Sequence, residues 1–223
     1  NIKNFTGTKN FVFNGGVANN IKANQKLVNQ NFVNSLFVPV GPGDENLALG
    51  AVYSAIEKYN GFSKSKKIIS GEKHAYWGVK LNNDNTFSKY LEKKFIKTKD
   101  KNLKKSAKII NKGKIILLFN GNMEFGPRAL GNRSIIAHPN NLETLNKLNL
   151  HIKQRDFWMP FAPAIIYEDR KKFLSLRKNV NYNYMTVGAD LKKNQKKNLY
   201  SVIHQGDFST RPLLVEKKNN FNF

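Results

Sequence analysis

The sequence predicts a mixed α/β fold. Strand signals alternate with helix signals along the chain, and Gly-rich turns stand where a strand hands over to a helix. The 223 residues are 40% hydrophobic, enough for a sizeable core. The formal charge of +23 does not by itself mean disorder, because 12% of the residues are aromatic. Phe and Tyr supply most of that aromatic surface for packing.

The first segment sets the pattern. Asn10–Phe13 is short, apolar and bounded by Gly15-Gly16, as a buried strand would be. Val17–Leu27 reads as a helix starting directly after the glycine pair. Ser35–Val40 reads as a second strand, broken by Gly41-Pro42-Gly43. Asp44–Tyr59 reads as a helix with Leu47, Ala48, Ala51, Tyr53 and Ile56 on its apolar side. Residues 60–83 carry little periodicity, and a domain boundary is placed near Asn83.

Beyond it, Thr86–Phe95 reads as a helix, followed by a lysine-rich helix or loop. Lys114–Asn120 is the clearest strand, and Ser134–Ala137 reads as another. Asn141–Lys153 has helical spacing. Ala162–Tyr167 reads as a strand, Glu168–Leu176 as a helix, and Tyr184–Ala189 and Leu199–His204 as short strands.

Composition narrows the chemistry. The absence of cysteine removes disulfide scaffolds, cysteine–zinc fingers, iron–sulfur sites and thiol catalysis. No apolar run approaches the roughly 18–20 residues of a membrane span. No signal peptide is read at the polar N-terminus, and the missing initiator Met suggests a fragment or a trimmed chain. The basic excess has two explanations. It could serve a polyanion such as nucleic acid, or it could follow from a lysine- and asparagine-rich composition, about one residue in seven being Asn. The lysine runs at 64–67, 93–105 and 192–197 mostly lack interleaved aromatics, which disfavours a nucleic-acid module.

Five segments carry chemistry. Gly15-Gly16 could bring backbone N–H groups to a phosphate, or could simply make a tight turn. Asp44, in Gly41-Pro42-Gly43-Asp44-Glu45, could ligate a metal or cap a helix. In Met123–Ser134 (MEFGPRALGNRS), Arg128 and Arg133 could grip a phosphate or carboxylate, or could be structural partners of Glu124, Asp156 or carbonyls. In Ile152–Pro163 (IKQRDFWMPFAP), Lys153 and Arg155 add cations. Phe157, Trp158 and Phe161 are expected in the core, with stacking by Trp158 the other reading. In His204–Pro212 (HQGDFSTRP), His204 could be a general base or a hydrogen-bonded structural residue, close in sequence to Arg211.

Taken together and in order, GGVANNIKANQKL, FVPVGPGDENLALGAVY, NGNMEFGPRALGNRSIIAHP, IKQRDFWMPFAP and IHQGDFSTRP resemble the carbamoyltransferase family of nodulation and antibiotic-tailoring enzymes. The resemblance runs along nearly the whole chain, and EFGPRALGNRS is its most specific segment. It implies the C-terminal part of an actin-like ATPase module at 1–83, similar to the universal tRNA threonylcarbamoyladenosine enzyme. A YrdC-like twisted-sheet domain at 84–223 would follow.

The implied activity is ATP-dependent. Carbamoyl phosphate is activated as carbamoyl-adenylate, and the carbamoyl group passes to a hydroxyl on a small acceptor. By the same resemblance, Gly15 and Gly16 lie against the nucleotide and Asp44 ligates a divalent metal, with iron expected. Arg128, Arg133, Lys153 and Arg155 hold carbamoyl phosphate and the phosphates of ATP, and His204 and Arg211 line the same pocket. The expected setting is the cytoplasm, without membrane or nucleic-acid partners; the sequence leaves the oligomeric state open, with a homodimer among the alternatives.

Three departures stand out. The family's HxxxH metal pair is absent, so the chain is expected to start inside the first module and to be inactive or partial alone. A late NTSFN-like motif is not reached. Met159 stands where many relatives have Arg.

Overall fold

The structure is a computed structural model that describes residues 6–61, 75–79 and 104–215. It is mixed α/β, as the alternation implies. The expected helix at Thr86–Phe95 and the boundary near Asn83 lie outside the described residues.

Strand β1 (Asn10–Val12) pairs in parallel with β2 (Ser35–Phe37), with Phe11 opposite Leu36. Helix α1 (Ile21–Val28) connects them. The expected helix from Val17 is broken in two. Gly16–Asn19 forms a 3-10 turn, and α1 starts only after Asn20. The break has a local cause: Asn20 is extended and its side chain accepts from the Ala23 N–H at 3.0 Å, capping α1 in place of continuing the turn. Helix α2 (Glu45–Asn60) ends at Gly61, whose φ of +74° suits glycine. Its expected apolar side is not covered: no α2 residue is buried, and Leu47 is 73% exposed.

Helix α3 (Lys104–Asn111) precedes β3 (Ile116–Phe119), which forms an antiparallel pair with β4 (Arg133–Ile136). The loop between β3 and β4 contains the EFGPRALGN motif. Helix α4 (Leu142–Lys147) is capped by the Asn141 side chain, which accepts from Thr144 N–H at 2.9 Å. The expected helix to Lys153 changes pitch at Leu148 into a π-helical turn (Leu148–Lys153). Gln154 ends it in the left-handed region at φ +48°.

Strand β5 (Ala164–Ile166) runs parallel to β9 (Leu213–Val215). The helix expected at 168–176 is a single turn, α5 (Arg170–Phe173). It gives way to β6 (Leu174–Ser175), which joins β7 (Ala189–Leu191) and β8 (Ser209–Thr210) in an antiparallel sheet. The strand expected from Tyr184 begins only at Ala189, because Met185 turns the backbone at φ +54°. Residues 200–202, expected in a strand, form a 3-10 turn.

The main core mixes residues from the two ends of the described chain. Ala18, Val28, Leu36 and Val38 pack with Leu174, Val187, Ile203 and Leu214. Buried Asn24 bolts these halves together, donating to the carbonyls of Ala18 at 2.7 Å and Thr186 at 2.8 Å. A second cluster of Val40, Ala75, Leu130, Met185, Leu213 and Val215 lies under the functional loops.

Candidate functional site

Three loops meet above the second cluster. The Gly15 N–H donates to the Pro42 carbonyl at 2.7 Å, tying the glycine pair to the GPGDE turn. Gly126, at φ +87°, lies on that same turn, where a Cβ would stand 3.0 Å from the Val40 carbonyl and 3.2 Å from the Gly41 Cα. A side chain at 126 would push the EFGPRALG loop away. Segment 75–79 adds backbone bonds, with Phe125 N–H donating to Ala75 O at 2.7 Å and Gly78 N–H to Met123 O at 3.0 Å.

The loop's internal organiser is Glu124. It is 8% exposed, and its Oε1 accepts from the N–H groups of Leu130 (2.8 Å), Asn132 (2.7 Å) and Arg133 (2.9 Å). Burial pushes its carboxyl pKa up, but these backbone hydrogen bonds outweigh burial and hold it below its ordinary value. Sequence reasoning offered Glu124 as an ion partner of the arginines. It serves the backbone instead, which leaves Arg128 without a carboxylate.

The Arg128 Nη2 donates to the Asn19 carbonyl at 3.2 Å, while its Nε is buried with no partner. Burial lowers its pKa.

Arg155 is held by a second organiser. Asn149 is fully buried, and its Oδ1 accepts from Arg155 Nε at 2.8 Å. Its Nδ2 donates to the carbonyls of Phe157 and Met159, each at 3.0 Å. The Arg155 guanidinium lies 4.3 Å from the Phe161 ring centroid, with a buried Nη2 unpartnered. Asn149→Leu keeps the branched shape with a larger volume and removes the three side-chain hydrogen bonds. It is expected to cost about 1–3 kcal/mol in chemical denaturation and to weaken anion binding through Arg155.

Arg211 precedes Pro212 and β9. Leu213 N–H donates to Pro163 O at 2.9 Å, which sets Arg211 beside the Phe161 segment. Its Nε is buried and unpartnered. Burial, then the positive charges of Arg128 and Arg155, lower its pKa to about 10.

The charges of Arg128 and Arg155 both act on Arg211, so guanidinium groups from three separate motifs lie within electrostatic reach of Arg211. Among the described residues no carboxylate lies within ion-pair distance of any of them. Like charges repel, and buried N–H donors without acceptors are costly. The arrangement suits a bound oxyanion, which supplies both the negative charge and the acceptors.

The other sequence candidates lie differently. Arg133 donates to the carbonyls of Asn120 (2.7 Å), Asn132 (2.9 Å) and Gly121 (3.2 Å), and its guanidinium sits over Phe119. It braces the loop's return into β4. Lys153 is exposed at the end of the π turn. His204 Nδ1 lies 3.2 Å from Asp207 Oδ1. Asp207 also binds Lys22 of α1 and accepts from Ser209 Oγ at 2.8 Å. Burial raises the Asp207 pKa, but Lys22 and Ser209 hold it far below the usual carboxylate range. His204 thus belongs to a polar cluster that links α1 to the 204–209 loop.

Gly15 and Gly16 have open space where a Cβ would stand, so a ligand can approach closely, but the Gly15 N–H is committed to Pro42. Phe157 and Trp158, expected in the core, are 65% and 55% exposed. Asn149 holds the backbone of their loop from the inside, which leaves both rings outward.

A metal is implied by the family resemblance. Asp44 is exposed just before α2, and no group of three His, Cys, Asp or Glu that could hold an ion occurs among the described residues. One exposed carboxylate does not make a ligand set. No helix among the described residues is long and apolar enough to cross a membrane.

Two uncharacterized proteins of Methanocaldococcus jannaschii are 33% and 35% identical over 94% and 100% of this chain, which covers 34% and 42% of their lengths. Nodulation protein NolO of Bradyrhizobium diazoefficiens is 29% identical over 96% of this chain and 39% of its own length. The chain therefore spans less than half the length of each of these relatives. Residues 107–223, which contain all three clustered arginines, match the carbamoyltransferase C-terminus family. The chain belongs to the carbamoyltransferase family, whose C-terminal region it contains.

Proposed function

We propose that the Arg128–Arg155–Arg211 cluster holds carbamoyl phosphate during an ATP-dependent carbamoyl transfer. In this reading carbamoyl phosphate loses its phosphate to water as inorganic phosphate. The resulting carbamate displaces pyrophosphate from the α-phosphorus of ATP to give carbamoyl-adenylate. A hydroxyl of a small molecule then takes the carbamoyl group with release of AMP. The observation that carries it is the cluster itself: three guanidinium groups with buried, unpartnered N–H atoms and no counter-carboxylate. Activation gathers phosphate charge in one place and releases it on leaving groups. Fixed cations stabilise that charge most where water is excluded.

The nucleotide would approach over Gly15 and Gly16, where no side chain intervenes. The two-module reading, an actin-like ATPase part followed by a YrdC-like domain, belongs to this proposal, with the loops of residues 15–45 and 124–133 in contact and the main core shared by residues from both sides of the boundary. A divalent metal would require ligands in addition to Asp44.

Arg128→Ala tests the proposal in the full-length enzyme. Carbamoyl-phosphate-dependent pyrophosphate release from ATP should fall by about a hundredfold or more, on the scale of losing a charged transition-state donor. The circular dichroism spectrum should stay unchanged, because Arg128 is not a core residue. Wild-type pyrophosphate release from the variant would refute the assignment.

A further inference from the structure

Carbamoyl phosphate presents two kinds of hydrogen-bonding groups. Its phosphate oxygens and carbonyl accept, but its NH2 only donates. The arginine cluster offers donors alone, so it cannot satisfy the NH2 end. A site that recognises the whole molecule needs an acceptor next to the guanidinium groups.

The described residues hold three buried side-chain oxygens without a partner: those of Asn19, Asn24 and Ser201. Asn24 is fully enclosed, and its amide nitrogen bolts the main core through Ala18 and Thr186. Ser201 sits in the 3-10 turn Tyr200–Val202, anchored by its N–H to Pro139 O at 3.1 Å. Only Asn19 touches the cluster, since Arg128 Nη2 donates to its backbone carbonyl at 3.2 Å. A Cβ on Gly43 would come within 2.6 Å of the Glu45 Oε2 and 3.2 Å of the Asn19 Nδ2, so glycine at 43 makes room for the carboxylate and for this amide beside it. The Oδ1 is left buried and unpartnered, on the residue whose backbone carbonyl accepts from Arg128.

We infer that Asn19 reads the NH2 end of the carbamoyl donor, accepting a hydrogen bond on Oδ1 while the arginines hold the phosphate. The inference rests on the reading of the cluster as the carbamoyl phosphate site and adds a specificity determinant from the other side of the interface between the loops. Its consequence is discrimination between donors of equal shape. Acetyl phosphate keeps the phosphate and the carbonyl but replaces NH2 with CH3. Placing a methyl group against an unpaired buried oxygen forfeits the bond and leaves the acceptor unsatisfied.

The test is calorimetric titration of the full-length enzyme with carbamoyl phosphate, acetyl phosphate and inorganic phosphate. Wild type should favour carbamoyl over acetyl phosphate by about tenfold. Asn19→Leu should bind the two acyl phosphates equally and inorganic phosphate as wild type does. Asn19→Asp, which keeps an acceptor, should retain the preference. The inference is overturned if Asn19→Leu still prefers carbamoyl phosphate. It is equally overturned if Asn19→Leu weakens all three ligands alike, because Asn19 would then only support Arg128. Wild type that binds inorganic phosphate through Arg211 but shows no donor preference also overturns it, and leaves the arginine reading standing. Wild type that binds none of the three removes both.

Discussion

Arg211→Met should make the protein more stable and less able to bind its ligand. Arg211 is half-buried, with an unpartnered Nε, under the positive charges of Arg128 and Arg155. An apolar side chain of similar length removes the repulsion and the unsatisfied donor while keeping the packing of the stem. The melting temperature in chloride buffer should rise by about 2–4 °C, as for a gain of about 1 kcal/mol in a domain of this size. Adding phosphate at matched ionic strength should stabilise the wild type by mass action and leave Arg211→Met unmoved.

The same residue predicts a pH signature. Its folded pKa of about 10 lies below the ordinary guanidinium value, so the folded state releases this proton before the unfolded state does. The unfolded chain then binds more protons, and the Arg211 contribution to stability rises with pH between those values. Bound phosphate should abolish that rise by pairing the charge. Thermal melts of wild type and Arg211→Met, with and without phosphate, check all of these outcomes. A destabilised variant that still responds to phosphate would contradict them.

Removal of the Glu124 side chain should have the opposite sign and a larger size. Glu124→Ala orphans three backbone N–H groups at 130, 132 and 133 inside the loop that carries Arg128. Each unmet buried donor costs about 1–3 kcal/mol, and partial relaxation makes a total of about 3 kcal/mol the reasonable expectation. Phosphate binding should disappear with it, since Gly126 and Arg128 lose their support against Val40, Gly41 and Asn19.

Glu124→Gln keeps an acceptor oxygen and should cost less. The carboxylate's folded pKa is held below its ordinary value. Its stabilisation is therefore present above the unfolded carboxylate pKa and lost as pH falls through the folded one. Wild-type stability should drop more steeply than that of Glu124→Gln on acidification below the ordinary carboxylate range. Urea unfolding at a series of pH values measures the difference. Parallel curves would show that the carboxylate is not what organises the loop.

Much of this site was legible in the sequence because its motifs are local. Gly126, Arg128 and the surrounding glycines fall in one dodecamer after the clearest strand, and that strand is where it was expected. Arg155 and Arg211 were legible as cations, but their meeting depends on β5 and β9 pairing in parallel across almost 50 residues. No local periodicity carries that pairing. The assignments that shifted share a physical cause, namely side chains that satisfy backbone groups. Asn20 caps α1 and splits the expected helix. Asn149 holds two loop carbonyls and turns Phe157 and Trp158 outward. Glu124 engages amides where a salt bridge with an arginine was the simpler expectation. Arg133 looked equivalent to Arg128 in the motif, yet three carbonyls occupy it. Which polar side chain serves the backbone and which remains free for a ligand is decided by tertiary packing, not by residue type.

The most direct measurement is a calorimetric phosphate titration of the wild-type chain at low and high salt, repeated with Arg128→Met, Arg155→Met and Arg211→Met. The arginine-cluster account predicts one phosphate per chain, weakened by Arg128→Met and Arg155→Met, lost in Arg211→Met, and weakened only modestly by salt, because the groups are partly buried. Several weak phosphates that vanish at high salt and ignore all three substitutions would mean that the surface lysines of a +23 chain attract anions and that the cluster does not.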